Sequence, residues 1–330
     1  MSQVAQADTP VRSMRIPLAR LRDLALVPVI VVLLVVGAFA DSSFLTVENL
    51  LNVLQQKSEL GLLVLAETLI LVAGRFDLSL ESTVGLAPAL GILSLPTLHR
   101  LHLPDVTAVA VCLLAGALIG AFNGIVIVWF RLSAFVLTLG MLITLRGLQL
   151  GLTGGKSLFQ FPLSYGWLGS TSWYIFPIAV LLMVAAYVVG ITVLGYFRHG
   201  RALYAIGGNV DAARAAGIRT DVVIFSVFVI GGVLAALAGL LFVGQLGSVA
   251  AGQGQNMIFE TFAAAVIGGV SLDGGKGTLF GALCGVLVLG LIQNILLHYG
   301  VSAQWNQAIY GVVIILALVL ARLTTGKAQD

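Results

Sequence analysis

Charge is the scarcest ingredient of this 330-residue sequence: Asp, Glu, Lys and Arg make up 9% of it, against about 25% in soluble domains. A chain of this length that is 59% apolar has too little polar surface to cover its core in water. A soluble domain is therefore excluded, and a polytopic membrane protein follows. Cysteine is nearly absent. Cys112 and Cys284 each fall inside an apolar run, which points to packing and excludes a disulfide framework or a thiolate metal site. The four histidines, His99, His102, His199 and His298, are scattered near loops, and no zinc spacing is present. A nucleotide-binding loop is missing too. Gly274-Gly-Lys-Gly-Thr278 imitates one, but Val270 stands where its first glycine belongs and Gly277 fills the Ser/Thr slot. No enzyme is indicated.

Apolar runs are abundant instead. They cover Leu24 to Ala40, Leu60 to Ala73, Thr83 to Leu95 (stopping at Pro96), Val106 to Phe130, Ala134 to Leu152, Trp173 to Tyr196, Val222 to Val243, Phe259 to Val270, Thr278 to Leu297 and Ile309 to Leu320. We read ten crossings, several of them shorter than the roughly 20 residues that span the hydrocarbon region. Asp41 to Glu59 is polar, and Leu50, Leu51, Val53 and Leu54 predict an amphipathic lead-in helix there. With both termini inside, the inner side receives Arg12, Arg15, Arg20, Arg22, Arg75, Arg131, Arg198, Arg201, Arg214, Arg219, Lys276, Arg322 and Lys327. The outer side receives only Lys57, Arg100 and Lys156, the asymmetry expected of a correct count. No convincing small-residue cleavage site follows Leu24 to Ala40, so it reads as a retained anchor rather than a signal peptide. Glycine, at 39 residues, serves close helix packing, and Gly116, Gly120 and Gly124 form one such stripe.

One long polar interruption, Phe197 to Arg219, holds a short alanine-rich helix on the inner face. Asn209 is its predicted N-cap, Asp211 sits in the first turn, and Gly217 takes the left-handed position that closes it. Its flat surface fits either a groove in a partner or an ordinary solvated connection. Two glycine-rich turns, Gly74 to Ser82 and Gly268 to Gly277, flank short segments. They are either tight inner turns or broken helices lining a path; Thr83 and Thr278 open the helices that follow. Glu67, Asn123, Arg146, Gln149, Gln245, Glu260, Gln293 and Asn294 lie within spans, where each polar group is costly and therefore functional or bonded between helices. Arg146 and Gln149, three apart, share a face and can hydrogen-bond sugar hydroxyls.

These motifs together resemble the permease subunits of ribose-type, binding-protein-dependent ABC importers, a family that includes monosaccharide and autoinducer-2 permeases. The matching stretches are Gly74 to Ser82, Thr138-Leu-Gly-Met141 with Arg146-Gly-Leu148 and Thr153-Gly-Gly155, Gly200 to Asn209 with Ala212 to Ile218, and Ala265 to Gly269 with Ser271 and Gly274-Gly275. The resemblance extends over nearly the whole membrane portion, about residues 24 to 322. The resemblance implies an all-α membrane protein of about ten transmembrane helices with cytoplasmic termini, in the bacterial inner membrane. Its parts are a basic segment 1–23, a permease domain 24–322 with a coupling loop 197–221, and a tail 323–330. It implies three partners besides the bilayer: an ABC ATPase subunit that uses ATP and Mg, a second permease copy or close paralogue, and an extracytoplasmic solute-binding protein. It implies no cofactor in this chain, no catalytic residue, no metal and no nucleic acid. Asn209, Asp211, Ala212, Arg214 and Gly217 become the ATPase-coupling helix. Asp77, Ser79, Asn123, Arg146, Gln149, Gln293 and Asn294 are expected along the substrate path or gate. Arg75-Phe76 and Glu81 depart from the family's Gly-Gly-Ile-Asp-Leu-Ser-Val-Gly-Ser turn, which bears on substrate class. An ion-gradient-coupled carrier using Glu67 and Glu260 is the alternative.

Overall fold

The computed structural model describes residues 26–302, 305, 308–312 and 315. Segments 1–23 and 323–330, and all of the tenth apolar run except 309–312 and 315, lie outside the described residues. Thirteen helices and one small hairpin follow in order among those described. They are α1 (Leu26–Ala40), α2 (Val47–Gln56), α3 (Ser58–Val72), α4 (Leu80–Arg100), α5 (Thr107–Trp129), α6 (Ala134–Thr153), α7 (Leu163–Ser170), β1 (Ser172–Trp173), β2 (Phe176–Pro177), α8 (Ile178–Tyr196), α9 (Arg198–Gly208), α10 (Val210–Ala215), α11 (Thr220–Leu246), α12 (Met257–Ile267) and α13 (Leu279–His298). Five of them, α5, α6, α8, α11 and α13, are long and apolar enough to cross a membrane. Four more of the segments assigned as crossings are held by α1, α3, α4 and α12. The lead-in helix is α2, capped by Thr46 Oγ1 accepting from the Asn49 amide at 3.3 Å.

Helix α11 is the central post, packed against α3, α4, α5 and α7. Its contact with α5 is glycine on backbone: a Cβ at Gly120 would fall on the Phe228 carbonyl, and those at Gly116 and Gly232 would each strike the other residue's carbonyl. Helices in lipid gain nothing from excluding water, so they associate by such close approach. Gly120→Ala is expected to lower stability by about 2 kcal/mol, the usual penalty of overpacking a fitted contact. Gly195→Ala, where nothing lies within 4 Å, is expected to be neutral or slightly stabilising, and thermal unfolding in detergent measures both.

The chain departs from its sequence pattern in four places. Helix α4 runs through both Pro88 and Pro96 to Arg100 instead of stopping at Pro96; a proline removes one helical donor and kinks a helix without having to end it. Pro88 cannot donate to the Val84 carbonyl, and Gln253 Nε2 does so in its place at 2.9 Å. Because α4 starts at Leu80, Thr83 lies inside it and bonds back to Ser79 O at 3.0 Å; Thr278 does open α13, accepting from the Gly281 amide at 3.1 Å. The sixth span begins at Ile178, since Trp173 and Phe176 pair across a two-stranded hairpin. The polar interruption holds two helices, α9 and α10, rather than one.

Candidate functional site: a coupling loop joined to two buried turns

Asn209 separates α9 from α10 in an extended conformation and caps the second, its Oδ1 accepting from the Ala212 amide at 2.9 Å. Gly217, at φ +81°, closes the helix, with the Ile218 amide bonded to Ala213 O at 3.1 Å. Both caps agree with the residue types at those positions. Ala213 is buried, while Asp211, Ala212 and Arg214 are exposed. Arg214 Nη2 donates to Thr220 Oγ1 and to Asp221 Oδ1, each at 3.2 Å, so α10 is pinned to the start of α11.

The end of α9 meets both glycine-rich turns largely through main chain. The Gly275 amide donates to Val72 O at 2.9 Å. A Cβ on Gly207 would fall on Val72 O and Gly275 N, and one on Gly274 would lie 2.6 Å from Gly74 Cα. Gly74, Gly274 and Gly275 also take positive φ (71°, 89° and 68°), which glycine adopts without a Cβ clash. Tyr204 of α9 adds a hydroxyl bond to Gly277 O at 2.9 Å. Three segments distant in sequence thus form one junction, main chain against main chain at Gly207, Gly274 and Gly275.

Beyond this junction the first turn dives into protein. Asp77, Ser79, Asn123, Thr138 and Glu67 are all essentially inaccessible. Asp77 Oδ1 accepts from Ser79 Oγ at 2.6 Å and from the Ser79 amide at 2.9 Å. Asn123 Nδ2 donates to Ser79 Oγ at 2.8 Å, and the Leu78 amide donates to Thr138 Oγ1 at 3.1 Å. The three predicted path residues Asp77, Ser79 and Asn123 are therefore brought together from the turn and α5. Glu67 Oε1 accepts from the Asp77 amide at 3.4 Å. Glu67 Oε2 and Asn123 Oδ1 are buried without a hydrogen-bond partner. Phe76 wedges this turn between α6 and α12, edge-on to Phe135 (6.2 Å) and tilted against Phe262 (5.9 Å).

The other predicted path residues lie in separate places. Arg146 pairs with Glu81 of α4, whose other oxygen accepts from the Ile258 amide at 3.2 Å, at the start of α12. Gln149 Nε2 donates to Ala250 O at 3.1 Å. On α13, Asn294 exchanges amide bonds with Asn49 of α2 at 3.0 and 3.1 Å, and Gln293 accepts from Tyr310 at 3.2 Å. Of the remaining in-span polar groups, Gln245 bridges Gln55 O and Glu59, and Glu260 faces Lys57 at 3.9 Å. Glu81 was noticed in the sequence only as a departure from a motif. The sequence signals that Arg146 needs a carboxylate in its apolar surroundings, but Glu67, Asp77 and Glu260 were equal candidates and only the fold selects Glu81.

A cavity of about 820 Å³ opens beside the junction, lined by Arg75, Phe76, Trp129, Arg131, Arg214 and Asp221 among others.

Comparison with known proteins bears on this arrangement. Residues 49–318 match the family described as branched-chain amino acid transport system / permease component. Among relatives, the ribose import permease protein of Escherichia coli (strain K12) is 33% identical over 295 residues, covering 88% of this chain and 91% of its own. The autoinducer 2 import system permease protein of Yersinia pseudotuberculosis (strain YPIII) is 35% identical over 280 residues, covering 84% and 78% respectively. No solved structure matches significantly. With the family matched across most of its length, this chain belongs to the transport-system permease components and is the multi-pass membrane subunit of an importer.

Proposed function

We propose that the chain moves a monosaccharide or similar small polyol-like solute through the bacterial inner membrane, driven by a separate ABC ATPase and supplied by an extracytoplasmic binding protein. Relatives named for ribose and autoinducer 2 import support that solute class. The glycine junction carries the mechanism. Helix α10, with Asp211, Ala212 and Arg214 outward, seats in a groove of the ATPase, which binds ATP and Mg. Closure of the ATPase displaces α10 and α9. Because Gly207 rests on main chain of both turns, the shift reaches α3 and α4 on one side and α12 and α13 on the other without being absorbed by side-chain rotation. The buried Asp77, Ser79 and Asn123 cluster then acts as the gate. The amides Gln149, Gln293 and Asn294, with Arg146, exchange interhelical bonds for solute hydroxyls.

The ten-span, N-in and C-in arrangement belongs to the same reading; Arg75, Arg131 and Arg214, assigned inside by counting, line one cavity. Pairing with a second permease is supported by α6, which buries only Ala134, Thr138, Leu145, Gln149 and Thr153 and leaves Gly140, Gly147 and Gly151 facing open space. Glu67, with one oxygen unpartnered beside Asp77, favours the ion-gradient alternative.

The test is capture from native membranes in mild detergent, with the associated subunits identified by mass spectrometry. An ATPase is expected with the wild-type chain and is expected to be lost from Asp211→Lys/Arg214→Glu. No ATPase with the wild type under several detergents, together with uptake that stops when the ion gradient collapses, would establish the gradient-driven reading instead.

A further inference from the structure

From the cavity beside the junction we infer a binding site for a phosphate-bearing anion. Arg75, Arg131 and Arg214 line it with Asp221, so its formal charge is three positive minus one negative, or +2. Only Arg214 has a carboxylate, Asp221, at 3.2 Å. Neither Arg75 nor Arg131 has an ion-pair partner among the described residues, and Arg75 Nε is buried with no hydrogen bond at all. Guanidinium groups present planar forks of donors suited to phosphate oxygens. The cavity also receives Ser133, Ala134 and Phe135, the first turn of the 20-residue helix α6, whose amides and dipole add to the attraction.

Arg131, exposed at the cavity wall, takes φ +54°, a conformation that L-residues other than Asn, Asp and His seldom adopt. The volume of about 820 Å³ far exceeds a bare phosphate. Phe76, Trp129, Leu132 and Phe135 supply an apolar wall, so the ligand carries organic bulk. Two sources have this chemistry: the headgroup of an anionic phospholipid, favoured by the exposed Trp129 and Phe130 next to Arg131, and a soluble phosphorylated metabolite. This site needs no assignment of the transported solute. ATPase capture reads the importer proposal separately.

The full chain in phosphatidylcholine nanodiscs tests the inference, with Trp129 fluorescence as the reporter and Trp129→Phe identifying its signal. One arm titrates inorganic phosphate against sodium chloride at matched ionic strength. The other compares nanodiscs with and without phosphatidylglycerol, and native mass spectrometry reads the lipid retained. A saturable response is expected in at least one arm, and the arm that responds names the source. Arg75→Gln/Arg131→Gln is expected to weaken it about tenfold or more. Asp221→Asn, which removes the competing carboxylate, is expected to strengthen it several-fold, a gain that damage to the fold would not produce. No response above chloride in either arm, or a response indifferent to both substitutions, overturns the site. Loss of ATPase capture in Arg75→Gln/Arg131→Gln with the anion response unchanged overturns it too, assigning those arginines to the ATPase.

Discussion

Gly207→Ala is expected to abolish transport and to lower the stability of the subunit by about 3 kcal/mol, the upper range for overpacking a fitted contact, while Gly208→Ala leaves both nearly intact. The two residues are neighbours at the end of α9 and neither has a positive φ, so backbone strain cannot separate them. Space does. The added methyl at 207 lands on Val72 O and Gly275 N, both main-chain atoms that no rotamer change can move aside; at 208 nothing lies within 4 Å. A helical glycine replaced by alanine in open space gains about 0.5–1 kcal/mol. Reconstituted uptake and thermal unfolding of the two variants, side by side, measure the difference. Equal behaviour would mean that the three segments are not in contact in the working transporter.

Arg146→Met is expected to cost about 3–5 kcal/mol, because it leaves Glu81 as a buried carboxylate without its cation. Glu81 is 3% exposed and Arg146 34%, so the desolvation penalty sits on the acid. Glu81→Gln/Arg146→Met is expected to recover most of that loss, since a neutral amide needs no counter-charge and its oxygen can still accept from the Ile258 amide. A double-mutant cycle on unfolding free energy isolates the pair. Additive losses would show that the two side chains do not interact. The recovered variant also separates stability from transport: if Arg146 binds solute hydroxyls in the path, uptake stays low although the fold returns.

Local chemistry was readable in the sequence where the cause is local. Asn209 and Gly217 bracket a helix because a side-chain acceptor and a left-handed residue are needed at its two ends, and both stand where the sequence places them. Thr278 and the lead-in helix α2 were legible for the same reason. Helix α4 was misjudged at Pro96 because proline reads as a stop, whereas it removes a single helical hydrogen bond and the turns on either side keep theirs. Helix α9 was missed since its polar residues, Arg198, His199 and Arg201, hide a buried face of Ala202, Leu203 and Ile206. The two turns were recognised as unusual, but Asp77, Ser79 and Asn123 were grouped with Arg146, Gln149, Gln293 and Asn294, from which the fold separates them. That the turns meet each other and Gly207 is a tertiary fact, carried by main chain, and glycine writes no partner into the sequence.

Pro88 gives the chain an order of events. The Val84 carbonyl that it leaves open is satisfied by Gln253, 169 residues downstream. As the polypeptide enters the membrane from its N-terminus, α4 is in place long before the ribosome has made the loop that completes it. An open carbonyl in hydrocarbon costs several kcal/mol, so the early helix must hold water or a temporary donor at this point, and the final enclosure of α4 becomes a late step in assembly. A contact spanning so much chain is slow to close. The subunit is thus inserted first and consolidated afterwards, with the bond from Gln253 to α4 among the last features to set.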